Sequence, residues 1–193
     1  SEYSLSDGII RIKELVSRAS SLQYSAVGLT DLTNLFGLLE FYRSAREKGI
    51  KPIVGAEVNV IKDKDSIPAP IVLLVKDKQG YINLTKIVSK AYVDGQVNGE
   101  PMVEFSLLQK YSEGLIALSG GMEGHVGQSI LAGNIPLTES RIKFFKSIFD
   151  EDFFIEVHRL GKTNEEEYNN AAIDVATKRE VPIVATNNVR FLM

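Results

Sequence analysis

Residues 25–60, SAVGLTDLTNLFGLLEFYRSAREKGIKPIVGAEVNV, decide the fold. They read as strand, helix, strand. Residues 26–29 are a short apolar run that stops at Thr30 and Asp31. Leu35, Leu38, Leu39, Phe41, Tyr42 and Ala45 then recur at helical spacing, which predicts one apolar helix face. Gly49 closes that helix, and the Lys51-Pro52 pair bars its continuation. Residues 53–60 are strand again, with one carboxylate, Glu57, set inside it. An acid in an apolar strand costs free energy unless it is paired, solvated or bound to a cation.

The alternation continues on both sides. Residues 9–22 form an amphipathic helix with Ile9, Ile12, Leu15, Val16 and Ala19 on one face, and Ser6 or Asp7 is placed to cap it. Further strands are predicted at 71–76, 115–118, 153–157 and 182–185, and helices at 80–92, 104–111, 125–132, 136–149 and 164–179. Residues 62–70 and 94–100 read as loops. Six short apolar strands, nearly all followed by helices, predict parallel β/α architecture. No G-x-G-x-x-G follows the first strand, which counts against a dinucleotide-binding fold. Asp31, Ser119, His158 and Asn188 sit at the carboxyl ends of strands, where a β/α barrel carries its active site.

With 193 residues the chain is long enough for one domain with a full core. An apolar fraction of 44% and a charged fraction of 24% are those of an ordinary globular protein. No apolar run is long enough to span a bilayer, and the first residues lack the charged and apolar regions of a signal peptide. The absence of cysteine excludes disulfides, thiolate metal ligands and a Cys nucleophile, and a cytoplasmic setting is the default. A net charge of −3 argues against the segment being a nucleic-acid grip by itself. The sequence starts without Met and stops soon after a strand, so it reads as one domain, residues 1–193, of a longer protein.

Several polar residues carry two readings each. Asp7 is a helix cap or a ligand. Glu57 is a satisfied acid at the barrel mouth or a ligand. His158 ends a strand and reads as a hydrogen-bonded structural histidine rather than a ligand. His125 opens a short helix and reads as solvated. The Ser119-Gly120-Gly121 turn either cradles a phosphate with backbone N–H groups or is simply tight. Asn164 caps the last helix, and Glu165, Glu166 and Glu167 form its solvated first turn. Arg43, Arg46, Lys48 and Lys51 are a basic stretch at a helix end, where cations are favoured in any case.

Six blocks taken in order are specific: YSLSDG at 3–8, LTDLTNLFG at 29–37, KPIVGAEV at 51–58, GYINLTKIVSKAY at 80–92, GLIALSGG at 114–121 and PIVATNNVRFL at 182–192. Together they resemble the polymerase-and-histidinol-phosphatase (PHP) domain of the bacterial DNA polymerase III alpha subunit. The resemblance implies a distorted seven-stranded parallel β/α barrel whose first strand, with a His-x-His pair, precedes Ser1. An open edge left by that strand would invite dimerisation.

Metal-binding members of the family hold about three ions with His, Asp, Glu and Cys, which activate water and clamp a phosphate. Asp7 and Glu57 match two carboxylate ligands. The other matching positions depart from the pattern. Leu32 stands where the family has His, and a second His is missing near Pro70. Gly121 replaces Cys, Leu160 replaces His, and Asn188 and Arg190 replace the closing Asp-x-His. Leu, Pro and Gly bring no ligand, Asn is a weaker one, and Arg190 repels a cation. No metal or other cofactor is expected, and Arg190 is expected to pair with Glu57 or Asp7. The resemblance implies a catalytically silent domain of a replicative polymerase. Its partners would be the 3′–5′ proofreading exonuclease subunit and the rest of the polymerase III core. DNA would be contacted by the parent, and a polymerase active site would lie downstream. The alternative is a metal-dependent phosphoesterase or exonuclease that still works through reorganised ligands.

Overall fold

A computed structural model describes residues 1–4, 8–63 and 66–189. Its helices are α1 (Ile12–Ser21), α2 (Leu38–Glu47), α3 (Lys78–Val93), α4 (Phe105–Lys110), α5 (His125–Leu131), α6 (Ile135–Phe149) and α7 (Glu165–Arg179). Its strands are β1 (Ala26–Leu32), β2 (Lys51–Ile61), β3 (Ala69–Val75), β4 (Gln96–Val97), β5 (Glu100–Pro101), β6 (Val103–Glu104), β7 (Leu115–Leu118), β8 (Phe153–Val157) and β9 (Ile183–Ala185). The main sheet follows the order β1-β2-β3-β7-β8-β9, with β6 against the far end of β2. This is the expected β/α architecture, with one departure from a parallel run. β1, β2, β7, β8 and β9 pair in parallel where they meet, but β3 is antiparallel to both β2 and β7. The physical reason is the β2–β3 link. Residues 62–68 are too few for the crossover of a dozen or more residues that a parallel return needs.

Among the described residues β1 and β9 are the two ends of the sheet path, yet β1 and the residues that directly follow β9 line one cavity. The sheet therefore curls into a partial barrel. The larger core fills the space between this sheet and α3 to α7, around Leu73, Leu84, Ile87, Phe145 and Phe153. A second, smaller core joins α1, α2 and β1 through Ile12, Val16, Leu29, Phe41 and Ala45.

Local chemistry sets the ends of the elements. Asp77 caps α3 by accepting from the Gly80 N–H at 2.9 Å, and Asn134 caps α6 by accepting from Leu137 at 3.1 Å. Asn98 and Gly99 both take positive φ at the tip of the β4–β5 hairpin, inside the stretch read as loop. Gly49, at φ +70°, ends α2 as expected.

Several expectations are corrected. The N-cap of α1 is Arg11, not Ser6 or Asp7, and Asp7 itself lies outside the described residues. Leu39 and Tyr42 are exposed, so α2 buries only Phe41 and Ala45 fully. Asn164 stands at the N-cap of α7 in left-handed geometry and its side chain caps nothing. Glu165, the first residue of α7, is not solvated as expected but ties down the loop before the helix. Its buried carboxylate turns back to accept from the Leu160 and Gly161 N–H groups at 2.8 Å. These bonds hold its acid below the usual carboxylate value.

Candidate functional site at the strand ends

A half-open cavity of about 680 Å³ lies between the curled sheet and α1. Leu32 ends β1 on its wall, Glu57 comes from β2, and Glu156, His158, Thr186 and Asn188 come from the ends of β8 and β9. Because β3 runs the other way, its amino end brings Pro70 to the same rim. Strand register fixes a row across the wall. Leu32 pairs with Glu57, Glu57 with Val72, and Val72 with Leu118. Side chains in register share a face, so Glu57, half-buried, lies between two aliphatic neighbours. Asp31, one residue before Leu32, points to the other face. It is buried and accepts from the hydroxyls of Ser1 and Ser4, each at 2.8 Å.

Leu32, Glu57, Pro70 and Asn188 are thus brought together as the resemblance implied. Leu160 is not on this wall; it sits in the loop held by Glu165. Asp7 and Arg190 lie outside the described residues, and with them the expected pairing of Arg190 with Glu57 or Asp7.

The sequence reading missed the best-held acid of the site. Glu156 in β8 is 5% exposed. One carboxylate oxygen accepts from the Gly120 N–H at 3.1 Å and the other from the Thr186 hydroxyl. The latter oxygen also lies 3.4 Å from His158 Nε2. The backbone around it is tied down as well. The Glu156 N–H donates to Ser119 Oγ at 2.9 Å, and the Tyr168 hydroxyl donates to the Glu156 carbonyl at 2.8 Å. Burial pushes the Tyr168 phenol well above its usual value, so it stays a donor. The His158 carbonyl accepts from Asn169 Nδ2 at 2.6 Å. The His158 ring itself faces the Glu156 carboxylate at the end of β8.

The glycine turn is explained by space. Gly120 has φ +79°, and a β-carbon there would lie 2.2 Å from the Pro70 carbonyl. Gly121 has φ +58°, and its β-carbon would lie 2.6 Å from the His158 ring. The Gly120 N–H already serves Glu156. Tightness accounts for both glycines without a phosphate. At the rim, Lys162 Nζ and Glu123 form an exposed ion pair at 2.6 Å.

His125 is elsewhere and is not solvated as expected. It is buried, with Nε2 2.8 Å from the Val60 carbonyl and its ring against the edge of Phe105. Burial lowers its pKa, so the neutral ring donates from Nε2 and its buried Nδ1 has no partner.

The donor chemistry can be tested against the metal cluster that the fold implies. Leu32, Pro70 and Gly121 offer no ligand atom, and both Glu156 oxygens accept bonds from the protein. Among the described residues no three His, Asp or Glu side chains gather as a metal group. This donor set does not fit a divalent-metal cluster.

A partial β/α barrel with a cavity at the strand ends, walled largely by aliphatic residues and carrying few metal-ligating side chains, is the class of structure these residues define. Comparison with known proteins refines that class. A model of the PHP domain matches residues 1–160, and the chain belongs to that family. It is 40% identical to the DNA polymerase III subunit alpha of Vibrio cholerae over 194 residues, covering 100% of this chain and 17% of that protein. It is 42% identical to the Escherichia coli K12 subunit over the same span and coverage. The chain thus spans about one sixth of the length of these curated relatives. Among solved structures, a candidate metal-dependent phosphoesterase from Bifidobacterium adolescentis superposes with a TM-score of 0.67 at 11% identity. The superposition covers 96% of this chain and 84% of that one, a likeness of fold. No helix among the described residues is long and apolar enough to cross a membrane.

Proposed function

We propose that the chain acts as the PHP region of a replicative DNA polymerase alpha subunit, catalytically silent and working in the cytoplasm. It supports the parent subunit and offers a docking surface to the 3′–5′ proofreading exonuclease subunit. The parent contacts DNA and carries the polymerase chemistry. The observation that carries the silent role is the state of Glu156. Its two oxygens accept from Gly120 and Thr186, so the acid buried deepest at the strand ends is satisfied by the barrel's own donors. A rigid barrel is also a preorganised surface, which loses little ordering entropy when a partner binds.

The test is metal analysis of the purified chain together with phosphoester hydrolysis with and without chelator. Substoichiometric zinc and manganese and no hydrolysis are the expected results. The second reading, a residual metal-dependent phosphoesterase, draws on Glu57, Glu156 and His158 sharing one cavity. Stoichiometric metal with chelator-sensitive hydrolysis would establish it in place of the first. Docking is tested separately, by calorimetric titration with the cognate exonuclease subunit.

A further inference from the structure

Helix α2 turns apolar side chains outward. Leu39 is 60% exposed and Tyr42 49%, and Phe36, just before the helix, is 70% exposed. Steps of three residues set them in a row along one side, while Phe41 and Ala45 hold the opposite side to the smaller core. Arg43 lies one turn beyond Leu39, and Arg46 one turn beyond Tyr42, so both guanidiniums flank the row. Among the described residues neither arginine makes an ion pair. Lys48 and Lys51 follow, and the four cations outnumber Glu40 and Glu47. A single exposed apolar residue needs no explanation. Three exposed apolar side chains in a row beside two arginines without an ion pair form a contiguous patch, and Phe, Tyr and Arg are the residue types enriched in protein interfaces.

We propose that this face of α2 is a docking site for an acidic amphipathic segment of a partner protein. The segment's apolar side chains cover Leu39 between Phe36 and Tyr42, and its carboxylates pair with Arg43 and Arg46. This rests on the docking reading above, with the segment belonging to the exonuclease subunit. Charge complementarity selects an acidic partner. Leu39 at the centre selects a protein over a nucleic acid, because an aliphatic side chain offers a base neither charge nor an aromatic face.

The experiment titrates the chain with the cognate exonuclease subunit by calorimetry. It compares the unaltered chain with L39A/Y42A, with R43E/R46E and with I173A, an exposed position on α7. Both double variants are expected to weaken binding about tenfold or more, with unchanged unfolding curves because all four side chains face solvent. R43E/R46E is also expected to flatten the salt dependence of binding, and I173A to bind like the unaltered chain. If the unaltered chain binds and the double variants bind equally well, docking stands and this face is the wrong one. If the unaltered chain does not bind, the docking reading fails and takes this proposal with it. Double variants that lose affinity only for a fluorescent single-stranded DNA overturn the proposal in favour of a nucleic acid.

Discussion

Gly121 and His158 share one space: a β-carbon on Gly121 would stand 2.6 Å from the imidazole Cε1 and 2.7 Å from Nδ1. Gly121 also has φ +58°, so a side chain there meets both a strained backbone and a ring. Gly121→Ala is expected to destabilise the chain by about 1–3 kcal/mol in urea unfolding. The double variant Gly121→Ala/His158→Ala should recover the part owed to the ring, read as a coupling energy in a double-mutant cycle. A cycle with no coupling would separate the two residues.

Glu156 is the acceptor for the Gly120 N–H and the Thr186 hydroxyl. Glu156→Ala leaves both donors without their partner and is expected to cost about 2 kcal/mol. Glu156→Gln keeps one carbonyl acceptor and should fall between. Chemical denaturation at neutral pH orders the three proteins. An alanine variant as stable as the unaltered chain would show that the network holds nothing together.

His125 gives a pH dependence with a definite sign. Burial lowers its pKa in the folded state from the usual 6.5. The neutral form is the one that fits, so the unfolded chain takes up a proton first as the medium is acidified. The contribution is fully present above pH 6.5 and is lost as pH falls through the folded value. Unfolding free energies compared between pH 8 and pH 5.5, at about constant salt, should decline in the unaltered chain. The decline should be smaller in His125→Phe. Parallel curves for the two proteins would remove His125 from the account.

The sequence carried the architecture because apolar period and punctuation are local signals. Gly49 and the 115–118 and 153–157 strands appear where the pattern put them. The direction of β3 was legible too, in the shortness of residues 62–68, but the alternation of strand and helix outweighed it. Glu57 was found as an acid inside an apolar strand. Glu156 in FFIEV carries the same signal and was passed over beside the more visible His158. Leu39 and Tyr42 share the helical apolar spacing of Phe41 and Ala45, and hydrophobic spacing cannot tell a buried face from an unpartnered one. Asn164 looked like a cap by residue type, and only the backbone shows that the carboxylate one residue later answers the loop's N–H groups. His125 looked wet because it opens a helix after glycines; the Phe105 ring and the Val60 carbonyl that enclose it are distant in sequence.

The division of the interior into two clusters has a mechanical consequence. The α1–α2–β1 segment is stapled to the remainder largely through the β1–β2 ladder, so it can yield as a unit at a lower free energy than the whole. Amide protons of α1 and α2 should exchange with deuterium ahead of those in β2 and β7. Any load applied to α2 is borne first by this weaker half, and whatever grips that helix also clamps the part of the barrel most ready to come loose.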